Sequence, residues 1–584
     1  MKNLWPYLAK HKISCLLAPL FKMLEAAFEL CVPILLARMI DLGIEQGDSS
    51  QIGYCALALL GLALVGYACS VTAQFFAARA AVDFSASLRE ALFCHIQALS
   101  FQDLDRIGTE TLLNRLNSDI MLAQTGVNMF LRLFLRSPFV VFGAFLCALM
   151  IDAHAAGVFA LVILVLFLLV GAVMAVSLPR LKRVQESLDH ALLLIRENLT
   201  GVRVLRAFGR EEKEKENFCR ANDGLFHLQV SSGNLSGIMN PGTGILINGG
   251  IILLLWVCGG RVESGILSQG QTIALYNYMG QILIELVKLA NFVVTLSRGI
   301  TGASRVSQVL AMKPSIPKDE VETQTAVLDL DIAQGIEFSK VSLQFAGARN
   351  PALEDIDLKV MPGQTIGIIG PTGSGKSALM QLLPRFYEAS AGKVCLFGKE
   401  VKDYPVPVLR SLVGFVSQRS VIFAGTIRDN LLMGNPEASE GELMEVLRIA
   451  QALEVVEGKG GLDAVLEAGG RNLSGGQRQR LSIARGLLTK SRILVLDDSF
   501  SALDYATDKK LREALRESAA SDPNRITFIV SQRAASILEA DKILVMEKGK
   551  IAAQGTHALL LAESDLYQEI YHTQFGTIQN PAEF

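Results

Sequence analysis

A run of apolar residues from Ala155 to Ser177 contains no charged side chain, and it constrains the fold more than any other feature of the chain. As a helix that rises 1.5 Å per residue, this run would reach about 34 Å, which exceeds the roughly 30 Å hydrocarbon core of a bilayer. Comparable stretches recur through the first half of the sequence. We predict six membrane-spanning helices, over residues 13–40, 52–78, 125–151, 155–178, 235–259 and 271–298.

The composition supports a membrane protein with more than one domain. The chain has 584 residues, of which 51% are hydrophobic and 19% charged, a balance too apolar for an ordinary soluble enzyme. The net charge is only -2, so no basic excess indicates a nucleic-acid partner. The nine cysteines form no C-x-x-C pair, and we interpret them as small buried hydrophobic residues without metal or disulfide roles.

Loop charges predict the orientation in the lipid bilayer. Basic residues are concentrated in two long polar segments, 79–124 and 180–234, whereas the loop after the first span carries mainly Asp41, Glu45 and Asp48. By the positive-inside rule both long segments and both termini are cytoplasmic. We therefore predict a multi-pass protein of the cell membrane, plasma or inner, whose helices extend far into the cytoplasm.

The composition changes near residue 310, where long apolar runs give way to short β-branched runs and glycine turns. The fold class we predict is an all-α six-helix transmembrane domain followed by an α/β nucleotide-binding domain with buried parallel strands. The predicted strands begin at Ile366, Ile493 and Thr527. The predicted bounds are 1–310 for the membrane domain, 311–333 for a linker, 334–575 for the nucleotide-binding domain and 576–584 for a tail.

A glycine-rich phosphate-binding loop is the strongest local motif. The sequence G-P-T-G-S-G-K-S follows a strand and precedes a helix, and it fits G-x-x-x-x-G-K-[S/T]. Its backbone N–H groups can surround phosphate oxygens, while Lys376 reaches the β- and γ-phosphates of ATP and Ser377 binds Mg²⁺. The residues of the motif are Gly370, Pro371, Thr372, Gly373, Ser374, Gly375, Lys376 and Ser377.

An acidic residue ends the second buried strand. Asp497 follows the apolar run I-L-V-L, the position from which an aspartate holds the Mg²⁺ shell in phosphate-binding-loop enzymes. The alternative is an N-cap for the following helix. ATP and Mg²⁺ are the ligands that the two motifs predict together.

Further motifs resemble those of ATP-binding cassette (ABC) proteins. L-S-G-G-Q, about a hundred residues after the phosphate-binding loop, is similar to the signature motif of this family. Gln418 resembles the Q-loop glutamine that senses Mg²⁺ and faces the membrane domain. Phe345 stands where the family places a ring that stacks on adenine, and the alternative is a buried core phenylalanine. The signature comprises Leu473, Ser474, Gly475, Gly476 and Gln477, and S-A-L-D (Ser501, Ala502, Leu503, Asp504) resembles the D-loop.

The membrane half carries the resemblance as well. Residues 99–109 and 196–211 are similar to the two intracellular coupling-helix regions of type IV, exporter-fold half-transporters. The resemblance covers essentially the whole chain. It implies a dimer in which each phosphate-binding loop and the partner's signature enclose one ATP, and in which ATP-driven closure alternates inward- and outward-facing states.

Two residues depart from the family pattern. Asp498 stands where the family has the glutamate that activates the attacking water, and its carboxylate is set back by one C–C bond, about 1.5 Å. Gln532 replaces the switch histidine and cannot carry a positive charge near neutral pH. The resemblance then implies a heterodimer with one degenerate ATP site, while the intact signature of this chain serves the competent site of a second half-transporter.

Ionisable residues within the spans are candidates for a substrate path, because charge inside a membrane is costly. Solvated or mutually paired charges are the alternative, and Asn240 marks a possible kink before a proline. The candidates are Glu25, Glu29, Arg132, Arg136, Asn240, Glu285 and Lys288.

The functional prediction is ATP-driven export of amphipathic small molecules, lipids or peptides by one half of a heterodimeric transporter, with ATP hydrolysis mainly at the composite site shared with the partner. Three alternatives remain open: a siderophore-importing subunit with the same fold, a homodimeric exporter, and a regulatory or channel-like protein that ATP gates. Fold alone does not select the cargo.

Overall fold

The computed structural model describes residues 4–316, 331–520 and 522–575. The chain forms two compact units: Met1–Gln97 with Glu110–Met312, and Ala98–Thr109 with Lys313–Phe584. The predicted tail and most of the predicted linker lie outside the described residues. The predicted domain bounds stay a prediction.

The first unit consists of helices. Two short π-helical segments, Met39–Ile44 and Arg115–Asp119, interrupt its α-helices. The helices of this unit are α1 (Trp5–Ala9), α2 (Lys12–Arg38), α3 (Ser49–Ala98), α5 (Thr109–Asn114), α6 (Ile120–Leu133), α7 (Arg136–Ile151), α8 (Ala153–Thr200), α9 (Val202–Ala207), α10 (Glu211–Glu263) and α11 (Gln269–Leu310).

Among the described residues, four helical segments are long and apolar enough to cross a membrane by length and composition: Ser49–Ala98, Thr109–Ile151, Pro241–Glu263 and Gln269–Leu310. Ala153–Leu169 is a shorter apolar helix, and α2 is a helix of 27 residues that contains charged side chains. Each of the six predicted spans thus coincides with helix, except that the third is divided between α6 and α7 by a turn at Phe134 and Leu135.

The long helices exceed the thickness of a bilayer. Helix α3 has 50 residues, which corresponds to about 75 Å at 1.5 Å per residue, more than twice a hydrocarbon core of about 30 Å. Helix α10 has 53 residues and runs through Pro241 as one element. Long polar extensions of the spans, predicted from the sequence, are therefore continuous with the apolar segments.

The second unit is built on a six-stranded sheet in the order β12-β11-β3-β10-β9-β6, in which only β12 is antiparallel to its neighbour. A four-stranded antiparallel sheet, β2-β1-β4-β5, and a two-stranded sheet, β7-β8, complete it. The strands are β1 (Ile336–Leu343), β2 (Leu353–Val360), β3 (Thr365–Ile369), β4 (Ala391–Leu396), β5 (Lys399–Glu400), β6 (Val413–Val416), β7 (Gly425–Thr426), β8 (Val465–Leu466), β9 (Ile493–Asp497), β10 (Ile526–Val530), β11 (Lys542–Glu547) and β12 (Lys550–Gly555).

The central parallel strands are covered on both faces. Every residue of β9 and of β10 is buried, as expected for apolar runs in a parallel sheet. The surrounding helices are α12 (Lys376–Gln381), α13 (Val406–Leu412), α14 (Ile427–Leu432), α15 (Glu440–Ile449), α16 (Leu453–Lys459), α17 (Gly475–Leu488), α18 (Tyr505–Ala520), α19 (His557–Glu563) and α20 (Asp565–Phe575).

One short helix, α4 (Phe101–Ile107), belongs to the second unit although it lies far upstream in the sequence. Its first ring, that of Phe101, packs on Phe386 with ring centroids 4.6 Å apart. A capping box between Ser100 and Asp103 begins the helix, and Gly108, with a φ of 82°, ends it. The predicted first coupling-helix region therefore forms a compact element among the residues of the nucleotide-binding unit.

Candidate nucleotide site

The glycine-rich loop connects β3 to α12. Gly375 has a φ of 98°, and a Cβ atom at this position would lie 2.6 Å from the carbonyl oxygen of Ala352, so only glycine fits without strain. The Lys376 ammonium group donates to the carbonyl oxygens of Gly370 and Pro371, each at 2.8 Å. Burial lowers the pKa of Lys376, against the effect of the two nearby aspartates.

Ser377 and Asp497 meet at the carboxyl ends of β3 and β9. The Ser377 Oγ donates to the Asp497 Oδ1 at 2.9 Å. Asp497 is buried, and burial raises the pKa of its carboxyl group, reinforced by the charge of Asp498 and opposed by the Ser377 hydroxyl. A hydroxyl and a carboxylate in contact are oxygen ligands of the kind that Mg²⁺ takes beside phosphates, so these residues fit the ion.

Asp498 has a backbone φ of 47°, in the left-handed region that aspartate tolerates. Its Oδ2 accepts a hydrogen bond of 3.0 Å from the Gln418 Nε2. Burial raises the pKa of Asp498, opposed by the Gln418 hydrogen bond and by Lys376 and Arg533. The predicted Q-loop amide and the residue at the base position are thus direct partners.

Gln532 is exposed and lies in the loop after β10, whose backbone is held by side chains. Its carbonyl oxygen accepts from the Gln574 Nε2 at 2.7 Å, while the Gln574 Oε1 accepts from the N–H of Ala534 at 2.7 Å. Arg533 donates to the carbonyl oxygens of Ser501 and Leu503 in the predicted D-loop. One amide from α20 and one guanidinium therefore fix the loop that carries the switch position.

These groups line one open cleft of about 300 Å³. Phe345 forms part of its wall and packs edge-on against Tyr387, with ring centroids 5.0 Å apart. Phe345 is half-buried: it packs against a hydrophobic core cluster and also lines the cleft. The predicted residues in the lining are Phe345, Thr372, Gly373, Ser374, Gly375, Lys376, Ser377, Gln418, Asp497, Asp498 and Gln532.

The predicted signature lies elsewhere in the same unit. Ser474 is the N-cap of α17: its Oγ accepts from the N–H of Gln477 at 3.2 Å, and the Gln477 Oε1 accepts from the N–H of Ser474 at 2.9 Å. In the described part of the chain, no residue of the signature belongs to the cleft lining. The exposed Ser474 and Gly475 are therefore free of the chain's own nucleotide cleft.

The D-loop is tied to the helix of the signature. The buried Gln479 side chain donates to the carbonyl oxygen of Asp498 at 3.1 Å and accepts from the N–H of Ala502 at 3.0 Å. Asp504 accepts from the N–H of Thr507 at 3.1 Å at the start of α18. The sequence prediction missed Gln479, although it stands only two residues after the signature.

The predicted ionisable candidates, apart from Arg132, lie in two clusters of ion-paired residues. Lys22 contacts Glu25 at 2.5 Å within α2. In the other cluster, Arg136 on α7 pairs with Glu29 of α2 at 2.7 Å and with Glu285 of α11. The remaining hydrogen bonds to Glu285 come from Ser137 at 2.9 Å and Lys288 at 2.8 Å.

Two predicted residues are not placed in these clusters. Arg132 lies on α6 and its Nε is buried without a hydrogen-bond partner in the described structure. Asn240 lies within α10, and its side chain is outside the part of the chain that the structure describes. The structure thus brings together most, but not all, of the ionisable candidates.

Comparisons with known proteins match both units. Residues 15–286 match the family model of the ABC transporter transmembrane region, and residues 353–501 match the family model described as ABC transporter. The uncharacterised ABC transporter ATP-binding protein YfiB of Bacillus subtilis (strain 168) is 33% identical over 580 residues, 99% of each chain. The chain belongs to the ABC transporter family.

Two further comparisons of this ABC transporter are with a flippase and with a solved exporter structure. An ATP-dependent lipid A-core flippase of Chromobacterium violaceum is 29% identical over 584 residues, 99% of this chain and 98% of the relative. A solved bacterial Atm1-family ABC exporter with ATP bound has the same fold, with a TM-score of 0.79 at 22% identity over 97% of this chain and 98% of that one. The protein is therefore an ATPase-coupled half-transporter of the exporter fold, which dimerises and works in a membrane.

Proposed function

We propose that this chain is the degenerate-site half of a heterodimeric ABC exporter. The observation that carries the proposal is the presence of Asp498 and Gln532 in the cleft formed with Lys376 and Ser377. Both departures from the family pattern thus face one nucleotide site. Such a site binds ATP and hydrolyses it slowly.

At this site, residues of this chain bind the nucleotide and its metal ion. Phe345 stacks on adenine, the glycine-rich loop and Lys376 hold the phosphates, and Ser377 with Asp497 holds Mg²⁺ next to Gln418. When bound, Mg²⁺ neutralises phosphate charge. Asp498 has the shorter side chain and already accepts a hydrogen bond from Gln418, so it is poorly placed to take a proton from a water molecule beyond that amide.

The signature supports a second site shared with a partner. Ser474 and Gly475 are exposed, and their helix begins with its own cap. We infer that this loop completes the ATP site of another half-transporter, which supplies the missing glutamate and histidine. Gln479 on that helix accepts a hydrogen bond from the N–H of Ala502, which holds the D-loop residues Ser501 to Asp504 beside the helix.

We infer that both termini and the nucleotide-binding unit are cytoplasmic, because the segments 79–124 and 180–234 carry the excess of basic residues. The cargo class is an amphipathic small molecule, a lipid or a peptide. The similarity to a lipid A-core flippase over nearly the full chain supports a lipid among these. Because Glu29, Arg136, Glu285 and Lys288 pair with one another, we assign them to helix packing and not to cargo binding.

The decisive experiment is ATPase assay of the purified chain with and without its partner. We expect the chain alone to be nearly inactive and the pair to be active. In the pair, changing the catalytic glutamate of the partner abolishes turnover, whereas Asp498→Asn in this chain has a much smaller effect. Brisk hydrolysis by the chain alone would favour a homodimeric exporter.

Transport in inside-out vesicles tests direction. ATP-dependent accumulation of cargo supports export, and ATP-dependent loss of preloaded cargo indicates an importer such as a siderophore system. Passive leak that ATP gates without pumping indicates a channel-like protein. A Lys376→Ala variant of this chain is the control for the nucleotide dependence of each signal.

A further inference from the structure

Tyr387 contacts both the wall of the nucleotide cleft and the short helix α4. Its ring meets the ring of Phe345 edge-on, with centroids 5.0 Å apart and planes at 83°. Its hydroxyl group donates a hydrogen bond to the Asp105 carboxylate on α4. Burial raises the pKa of Tyr387, so the hydroxyl keeps its proton and remains a donor at neutral pH.

Helix α4 is held firmly around this contact. The buried Asp103 carboxylate accepts from the N–H and the hydroxyl of Ser100, and also from the N–H of Ser315 at 2.9 Å and its hydroxyl at 2.5 Å. Phe101 packs on Phe386, the residue before Tyr387. Because α4 is anchored at its first turn, Asp105 presents its carboxylate to Tyr387 from a fixed position.

The Phe345 ring is partly buried against the hydrophobic core of this unit. Tyr387 supports its edge, and the ring also lines the cleft. An edge-to-face aromatic contact restricts the orientation of both rings. A purine that stacks on Phe345 therefore selects a ring orientation that Tyr387 must share.

We infer that Tyr387 is a positioning residue that couples occupancy of the adenine site to the seating of α4. This inference rests on the proposed role of Phe345 in binding ATP. Coupling between two sites is reciprocal: if the Tyr387–Asp105 bond favours the orientation of Phe345 that accepts adenine, adenine stabilises α4 by the same factor. Binding of the base of the nucleotide, and not only of its phosphates, then stabilises the first coupling-helix region.

The test is hydrogen–deuterium exchange of residues 98–109 in the full-length chain, with and without Mg-ATP. In the wild type, ATP should slow exchange in α4. In Tyr387→Phe, which keeps the ring and loses the hydroxyl, the protection of α4 by saturating ATP should fall about fivefold, and the affinity for ATP should fall by a similar factor. Asp105→Ala should behave likewise, and the double variant should be no worse than either single one.

Two controls isolate the hydroxyl and the base. Tyr404 donates its hydroxyl to the carbonyl oxygen of Leu396 inside the same unit, so Tyr404→Phe should leave the ATP effect on α4 intact. Mg-tripolyphosphate, which has no base, should bind without protecting α4 and should be insensitive to Tyr387→Phe. Asp105→Asn keeps a hydrogen-bond acceptor and should retain part of the protection.

Unchanged protection of α4 by ATP in both Tyr387→Phe and Asp105→Ala overturns the inference and leaves the ATP site standing. Equal protection by tripolyphosphate and by ATP overturns it as well, because the base would then be irrelevant. Failure of the wild type to bind ATP, with Lys376→Ala no different, refutes the proposed nucleotide site and the inference with it.

Discussion

Arg136 and Glu285 form a buried ion pair that joins α7 to α11. The same guanidinium reaches Glu29 on α2 at 2.7 Å, so one side chain connects three helices of the first unit. The planar, multi-donor guanidinium suits such a bridge, whereas a lysine ammonium is a single point charge.

We expect that breaking this ion pair lowers the stability of the first unit substantially. Arg136→Met should lower the stability of the first unit by about 3–5 kcal/mol, because it leaves the buried Glu285 carboxylate with only Lys288 and Ser137. The apparent melting temperature of the detergent-purified chain, followed by size-exclusion chromatography, is the measurement. Arg132→Met on α6, outside this cluster, is the matched control, and Arg136→Met with Glu285→Met should recover part of the loss. Equal melting temperatures for the three variants would refute the bridge.

Hydrolysis should be recoverable in the degenerate site. Asp498→Glu with Gln532→His supplies the missing methylene and a titratable ring, and we expect the ATPase rate of the chain alone to rise at least tenfold, toward the 10²–10⁴-fold typical of a general base. Phosphate release is the assay. Lys376→Ala in the same background should remove the gain, and a rate that never rises would show that other residues limit the site.

We expect the side chain of Gln479 to couple the signature helix α17 to the backbone of the candidate base, Asp498. Its amide bonds to the backbone of Asp498 and Ala502 from a buried position. Because the Asp498 carbonyl oxygen also accepts from the Ser501 hydroxyl, Gln479→Leu leaves the N–H of Ala502 without its partner, at about 1–3 kcal/mol. With the partner present, we expect turnover to fall together with thermal stability. Gln479→Glu keeps the acceptor and loses the donor, and should lie between wild type and Gln479→Leu.

The C-terminal helix should control the switch loop. Gln574→Ala removes both hydrogen bonds to the backbone of Gln532 and Ala534, and we expect faster hydrogen exchange in residues 531–536 and faster release of bound ATP. Gln568→Ala is the control, because Gln568 bonds to Leu561 within the C-terminal segment. Unaltered exchange in Gln574→Ala would show that the loop holds its shape without the clamp.

The packing of α20 should weaken at acid pH. His557 contacts the hydroxyl of the buried Tyr567 at 2.8 Å, and burial lowers the pKa of His557 below 6.5. The unfolded segment therefore binds the proton more readily, so the stabilisation is present above about pH 6.5 and declines as the pH falls further. Exchange of residues 565–575 at about pH 7.5 and about pH 5.5, corrected for intrinsic rates, should show this loss. The loss should be smaller in His557→Asn.

Sequence patterns were sufficient for three strands of the central sheet in the nucleotide-binding unit. Continuous apolar runs at Ile366, Ile493 and Thr527 each became a buried strand of the central sheet. A parallel sheet brings the carboxyl ends of such strands to one edge, which is why Ser377 and Asp497 could be expected to meet. The pattern of apolar residues does not predict the hydrogen bonds that Gln479 and Gln574 make to distant backbone groups. Such bonds join residues far apart in sequence and leave no periodic signal.

The sequence was less informative about the charges in the membrane helices and about α4. Spacing along one helix pairs Glu285 with Lys288, but the bridge from Arg136 to Glu29 depends on how three helices pack. Likewise, the association of residues 98–109 with the second unit results from contacts such as that of Phe101 with Phe386. Both are products of tertiary packing, which residue spacing does not encode.

The reciprocal cap between Ser474 and Gln477 at the start of α17 leaves one atom of the Ser474 hydroxyl group unused. A hydroxyl group has one hydrogen to donate and two lone pairs to accept with, and the cap uses a lone pair of the Ser474 Oγ. The hydroxyl hydrogen thus stays free for an anionic oxygen, and the loop needs no folding step before it meets one. Little conformational entropy is lost on contact, so in the proposed shared site the partner's triphosphate would meet a rigid receptor.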